Sequence, residues 1–213
     1  MTQNADIAII GAGASGLAAA VAAAKNFCGN VTLIEKLPRV GKKRLSTGNG
    51  RCNLSTTSLS ADRYSGATQL LNGISEDYVS AEHFFGEIGL AVKSDSEGRI
   101  YPHSMAASSV LDALRFAVLS AEVNTICDFE VKKIIKKNNS FVITNGESDI
   151  TAKRVIIAAG GCAAPSLGSD GNGYELAKSL GHTVTRLYPA LAPLRTDVNL
   201  VKAVKGLRTS ATA

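Results

Sequence analysis

Asp6-Ile7-Ala8-Ile9-Ile10-Gly11-Ala12-Gly13-Ala14-Ser15-Gly16 is the stretch that decides the fold of this chain. An apolar run that suits a buried parallel strand passes into GxGxxG, and the alanine-rich stretch from Leu17 to Lys25 then suits a helix. In such a strand–turn–helix unit Gly11 permits the turn, Gly13 lets the backbone approach a pyrophosphate, and Gly16 lets the helix pack closely on the strand. Ala14 and Ser15 then carry free amides at the helix N-terminus, where an anion sits. The next apolar run, Val31 to Ile34, ends at Glu35. A carboxylate there, roughly 20 residues beyond the glycines, takes both hydroxyls of an adenosine ribose and repels a 2′-phosphate. GxGxxG alone is a short pattern. The strand before it, the helix after it and the acid closing the second strand together mark a nucleotide site rather than a glycine-rich packing turn.

A second segment follows, Pro38-Arg39-Val40-Gly41-Lys42-Lys43-Arg44-Leu45-Ser46-Thr47-Gly48-Asn49-Gly50-Arg51-Cys52-Asn53. A nicotinamide-binding domain runs from its ribose acid straight into another helix, whereas this chain inserts glycines, cations and hydrogen-bonding residues. Such a loop can cover a pyrophosphate and reach along a ribityl chain to a flavin ring. Lys36 beside the ribose acid, then Lys43, Gly50, Arg51, Cys52 and Asn53, are the candidate cofactor residues of this stretch, and Lys42, Lys43, Arg44 and Arg51 can supply charge-assisted bonds to phosphate. Cys52 has no partner cysteine nearby, so it reads as a small apolar side chain packed by the flavin rather than a redox thiol.

These residues resemble the bacterial flavoproteins of the BaiN-like and YhiN-like family, which includes enzymes labelled aminoacetone oxidase, within the broader glutathione-reductase-type FAD fold. Further matches are Gly98-Arg99-Ile100-Tyr101-Pro102 before a helix, Ala158-Ala159-Gly160-Gly161, Gly168-Ser169-Asp170-Gly171-Asn172-Gly173-Tyr174 and Gly181-His182, in the family's order. The chain departs from the family where Ala159 replaces a usual threonine and Asn172 a frequent aspartate. The resemblance implies FAD as cofactor and an α/β, Rossmann-like FAD-binding domain with an inserted antiparallel β-meander. It places the backbone of Val131 near the adenine edge, with Ala159 and Gly160 close to the cofactor. It also implies that residues 1–190 form the FAD-binding domain, with the meander at about 127–153, and that residues 191–213 begin a truncated second, substrate domain.

The middle of the chain reads as an embellished Rossmann core. Residues 79 to 89 suit a short amphipathic helix with Phe84, Phe85 and Ile88 inward, and residues 91 to 101 a hairpin turning at Glu97-Gly98. Val110, Leu111, Leu114 and Val118 keep helical spacing from Ser104 to Ala121, as a crossover helix would. Val123 to Ile126 suits the next strand. Phe129 to Ile135, Phe141 to Thr144 and Asp149 to Lys153 suit the meander, with turns at Asn138-Asn139 and Asn145-Gly146. Val155 to Ala158 then returns to the parallel sheet, and glycines at its end let the backbone pass close to a cofactor.

A hydrophobic fraction of 45% over 213 residues supports one sizeable core. The net charge of +5 is modest and aromatic residues are 5%, so nucleic-acid binding is not expected; Lys132 to Lys137 reads as a wet strand end. Ile7 to Ala24 lacks a cationic leader, carries glycines spaced for a turn and ends at Lys25, which argues against a signal peptide or a membrane span. Cys28, Cys52, Cys127 and Cys162 form no CxxC, and His83, His103 and His182 are dispersed. Reduced thiols, a cytoplasmic location and no metal site are expected.

The expected function is a flavin-dependent oxidoreductase in which hydride passes between a small organic substrate, or NAD(P)H, and FAD. No second GxGxxG is present, so any nicotinamide binds transiently, and oxygen stands beside it as an acceptor. No catalytic residue is assigned. The competing readings are a non-catalytic, truncated nucleotide-binding fragment and an NAD-dependent dehydrogenase, the latter disfavoured by the Gly41 to Asn53 loop and the meander.

Overall fold

A computed structural model describes residues 3–42, 50–58 and 80–189, and residue 202. Strand β1 (Gln3–Ile10) lies at the centre of a six-stranded sheet, parallel to β2 (Val31–Ile34) on one side and to β9 (Asp149–Ile157) on the other. The registers run from Ile7↔Val31 to Ile10↔Ile34 and from Gln3↔Ile150 to Ile10↔Ile157. β6 (Asn124–Ile126) adds a third parallel partner beyond β2. β8 (Ser140–Thr144) and β7 (Lys133–Lys137) continue the sheet antiparallel beyond β9, giving the order β6-β2-β1-β9-β8-β7. A smaller antiparallel sheet holds β3 (Ser55–Thr56), β5 (Arg99–Pro102) and β4 (Val92–Ser94) in that order.

The meander is present, with two differences from the sequence reading. Its third strand and the returning parallel strand are one continuous element, β9, which gives one edge to β1 and the first part of the other to β8, from Asp149 to Ala152. Its first strand begins at Lys133 rather than Phe129. The residues before it are drawn away, because the Phe129 N–H donates to the Glu35 carbonyl at 3.0 Å. β3 was not anticipated: two residues carry no readable alternation, and the pairing of Ser55 with Ile100 is tertiary.

Both faces of the central sheet are covered, so β1 buries successive residues rather than alternate ones. Ile7 and Ile9 pack with Leu17, Ala20 and Val21 of helix α1 (Ala14–Asn26), Phe85 of α2 (Ala81–Glu87) and Val110, Leu111, Leu114 and Val118 of α3 (Ala107–Ser120). Ala8 and Ile10 face the other cluster, where Ile134, Ile143 and Ile150 of the meander meet Leu176 of α4 (Asn172–Ser179). The spacing of the four α3 residues thus corresponds to a buried stripe. α2 begins where the Ser80 hydroxyl accepts from the His83 N–H at 3.1 Å, and only Phe85 of its aromatic pair is fully buried. Among the described residues no helix is long and apolar enough to cross a membrane.

Close backbone approach sets the α1 position. A Cβ on Gly16 would stand 1.8 Å from the Gly11 carbonyl oxygen, so the helix cannot seat with any side chain there. Gly16→Ala is expected to lower stability by about 1–3 kcal/mol through this overpacking, read as a lower urea midpoint in flavin-free protein.

Candidate cofactor site

The carboxyl ends of β1, β2 and β9 converge on a cavity of about 300 Å³. Its floor is the turn from Gly11 to Ser15, one wall is Glu35 to Leu37, and the opposite wall is Ala158 to Gly160. Phe129, Val131, Ser169 and Asn172 close the end beneath the meander, and Gly41 and Lys42 reach it from the loop after β2. Strand ends of an open α/β sheet form such a crevice because the helices that follow adjacent strands leave to opposite faces.

The three glycines of the turn are required for different reasons. Gly11 has φ +97°, and a Cβ there would lie 2.7 Å from the Ala158 carbonyl oxygen; Gly16 is blocked by Gly11 itself. Gly13 has φ −77° and ψ −165°, extended values open to any residue, and an added Cβ would meet nothing within 4 Å. The fold therefore needs glycine at 11 and 16, whereas no protein atom near Gly13 calls for it. α1 starts from Gly13 with no side-chain cap and no acidic residue in its first turn. Its first N–H groups have no intrahelical acceptor, and together with the positive end of the helix dipole they favour an anion. A pyrophosphate fits these donors and this open backbone.

Glu35 is only 8% exposed. Its Oε2 accepts from the Ala12 N–H at 2.8 Å and its Oε1 from the Leu37 N–H at 3.0 Å. A carboxylate has about four lone-pair positions, so these bonds leave acceptor capacity for ribose hydroxyls. The acid expected from the sequence to hold a ribose thus also anchors the glycine turn.

Gly41 carries the basic loop toward this turn. Its N–H donates to the Ala12 carbonyl at 2.9 Å, and a Cβ on it would come 2.1 Å from Leu111 Cδ1. The Arg115 guanidinium holds the neighbouring Val40 carbonyl at 2.9 Å.

Of the residues anticipated from sequence, Gly11, Gly13, Ala14, Ser15, Glu35, Lys36, Val131, Ala159 and Gly160 line the cavity, and Gly16 packs beneath it. Lys43 lies outside the described residues, as does Arg44. Gly50, Arg51, Cys52 and Asn53 are not in the cavity wall. Cys52 is 1% exposed, has φ +60° and sits in the core cluster of α1 and α3, where the protein supplies its packing. Arg51 stacks its guanidinium 5.5 Å from the centre of the Tyr101 ring.

Three features had no sequence signal. Phe129 and Ser169 enter the wall from distant loops. Lys36 Nζ meets Asp170 Oδ2 at 2.6 Å on the rim, joining the end of β2 to the loop before α4. The Asn172 side chain donates to the Val131 carbonyl at 3.0 Å. Paired residues so far apart in the chain leave no mark in any local pattern.

Parallel strands around β1, an uncapped glycine turn and a buried acid at the end of the second strand define a Rossmann-type dinucleotide-binding fold. The family model described as the HI0933-like protein Rossmann domain matches residues 5–210, and the chain belongs to that family. FAD is the cofactor that the family supports.

The chain is 39% identical over 209 residues to the 3-dehydro-bile acid delta(4,6)-reductase of Clostridium scindens, across 96% of this chain and 51% of that protein. It is 25% identical over 208 residues to the ribosomal RNA dihydrouridine synthase of Escherichia coli, across 95% and 51%. It therefore spans about half the length of the curated relatives it matches. Among solved structures, a flavocytochrome c3 fumarate reductase in its open conformation aligns with TM-score 0.66 at 20% identity, over 85% of this chain and 41% of that one. The 3-ketosteroid-delta4-(5alpha)-dehydrogenase of Rhodococcus jostii RHA1 aligns with TM-score 0.65 at 13% identity, over 84% and 54%. At those identities the two structures speak to fold alone.

Gly13→Val is expected to leave the unfolding free energy of the flavin-free protein within about 0.5 kcal/mol of wild type, as an uncrowded substitution does, yet to abolish retention of flavin. Unfolding curves and flavin content measured on the same preparation check both parts.

The Lys36 ammonium donates to Asp170 and holds its carboxyl below the ordinary value of 3.8. The stability this ion pair adds is therefore complete above the ordinary aspartate range and is lost as pH falls through the lowered value. Lys36→Met is expected to return the Asp170 pKa toward 3.8, followed by carboxyl NMR titration.

Proposed function

We propose that this chain is the dinucleotide-holding part of an FAD-dependent oxidoreductase that acts on a small organic substrate. The observation that carries the proposal is the open backbone at Gly13, set between the first amides of α1 and the Glu35 carboxylate. In this reading the Gly13 to Ser15 turn holds the pyrophosphate, Glu35 takes the adenosine ribose, and Val131 lies along the adenine. The walls from Ala158 to Gly160 and at Lys42 direct the rest of the dinucleotide. Bound FAD supplies hydride transfer at its flavin ring. The residues of this chain bind and orient it, and the turn amides disperse the charge of its phosphates.

The names of two relatives point to the bond acted upon. A delta(4,6)-reductase acts on the double bonds of a 3-oxo steroid, and a dihydrouridine synthase leaves the uracil ring saturated beside its carbonyl. Both describe reduction of a carbon–carbon double bond conjugated to a carbonyl, and this is the reaction class we assign to the whole protein. The 39% relative names a small-molecule substrate, which favours that class over RNA. A nicotinamide that binds transiently is the electron source that fits a single nucleotide site. Exposed, unpaired Cys28 and Cys162 support a reducing, cytoplasmic setting.

The test is a visible absorption spectrum of the purified chain, followed by release and chromatography of any flavin. Released FAD is the expected result. A colourless chain that also takes up no added FAD would overturn the assignment in favour of a non-catalytic fragment, and uptake of NAD in its place would indicate a dehydrogenase. Glu35→Ala is expected to raise the Kd for FAD at least about tenfold more than that for FMN, which lacks the adenosine ribose, a difference of roughly 1.4 kcal/mol. Equal losses, measured by equilibrium dialysis, would remove Glu35 from the ribose.

A further inference from the structure

Arg115 lies on α3, outside the cavity wall, yet two successive peptide units connect its guanidinium to the glycine turn. Its Nη2 donates to the Val40 carbonyl at 2.9 Å, and the Gly41 N–H donates to the Ala12 carbonyl at 2.9 Å. The Val40 carbonyl and the Gly41 N–H belong to one planar peptide unit, so that unit is gripped at both ends. The second unit is formed by the Ala12 carbonyl and the Gly13 N–H. The described peptide bonds are trans. In a trans unit the N–H and the carbonyl point in opposite directions, so the bond that fixes the Ala12 carbonyl also fixes the direction of the Gly13 N–H. Gly13 lines the cavity, and among the described residues no protein acceptor takes its N–H.

Leu111 stands one turn before Arg115 on the same face of α3, and it supports the loop by contact alone: its Cδ1 occupies the place a Cβ on Gly41 would take. Such packing sets how near the loop lies, whereas the hydrogen bond to Val40 sets how its peptide is turned. Asp112 Oδ1 lies 3.7 Å from Arg115 Nη1 and steadies the guanidinium. Gly41 is buried, while the Arg115 side chain is 37% exposed and takes no part in the buried stripe of α3. Removing that side chain therefore takes away the bond and leaves the core packing in place. Hydrogen-bonded groups in series polarise one another. A cation on the Val40 carbonyl strengthens the Gly41 N–H as a donor, and through the Ala12 carbonyl the Gly13 N–H in turn.

We infer that Arg115 is a positioning residue for the nucleotide: through the Val40–Gly41 peptide it sets the direction and donor strength of the Gly13 N–H, and so the hold of the turn on a phosphate. The inference rests on the proposed placement of the FAD pyrophosphate at this turn.

The experiment compares wild type, Arg115→Met and Arg115→Lys, each stripped of flavin, by amide hydrogen exchange and by equilibrium dialysis against FAD. Methionine keeps an apolar stem without donors, and lysine keeps a charged donor able to serve a single carbonyl. Arg115→Met is expected to speed exchange of the Gly41 amide at least about tenfold while the amides of β1 and β2 keep wild-type rates. It is also expected to raise the Kd for FAD about tenfold, the effect of losing a hydrogen bond from a charged group. Arg115→Lys is expected to bring both quantities back within about threefold of wild type. A residue that only supports the fold would speed exchange across β1 and β2 together, and one that only supplies charge would weaken FAD with Gly41 exchange unchanged. Either result, an unchanged Kd beside a faster Gly41 amide, or failure of lysine to restore both quantities would overturn the inference. A wild-type chain that takes up no FAD would overturn the proposed function beneath it, and the inference with it, whatever the Gly41 exchange.

Discussion

One buried carboxylate holds the site in shape. Glu35 accepts from Ala12 in the turn after β1 and from Leu37 in the loop after β2, while its own backbone donates to Ile126 and accepts from Phe129. The glycine turn, the end of β2 and the segment leading into the meander are thereby tied to a single residue. Ala12 has no exposed surface, so its N–H has no alternative partner in solvent. Leaving such a donor unsatisfied costs about 1–3 kcal/mol. Because two backbone amides fix the carboxylate before any ligand arrives, its remaining lone pairs already point in set directions.

Around that anchor the cavity is shaped by how closely the backbone at three glycines approaches its neighbours. Gly16 brings α1 onto the turn, Gly11 brings the turn onto the end of β9, and Gly41 brings the loop after β2 onto α3. Each contact excludes a Cβ, and together they aim the start of α1 into the crevice. Of these four glycines Gly13 alone has open space beside it, and it lies at the start of α1. The same geometry thus separates the glycines of this region that packing requires from the one that it does not.

The opposite end depends on side chains that bridge distant segments. The Lys36–Asp170 ion pair spans 134 residues and the Asn172–Val131 bond 41. Both fix the loop before α4 against the wall that carries Glu35 and Phe129. Their consequence is that polar groups hold fixed positions beneath the meander, beside Phe129 and Val131.

How far this was readable in advance follows from the range of each interaction. β1, α1, β2 and the acid at position 35 are encoded by local pattern: an unbroken apolar run, three glycines at fixed offsets, and a carboxylate at a strand end. The α3 stripe follows from helical spacing of four apolar residues, and the meander from turn residues between β-forming runs. The continuity of β9 was hidden, because its two halves face different neighbours and so show different burial patterns. The burial of Cys52 was hidden for a related reason: its neighbours in the chain are polar, whereas it joins the core cluster that holds apolar side chains of α1 and α3. By itself the amino-acid sequence determined the fold, the glycine turn and the acid at position 35, since these rest on short-range periodicity and on glycines whose need is steric and local. Only tertiary structure decided which glycine of the turn faces open space, that Glu35 is an anchor, and which groups meet beneath the meander, because these depend on distances between segments that no local pattern records.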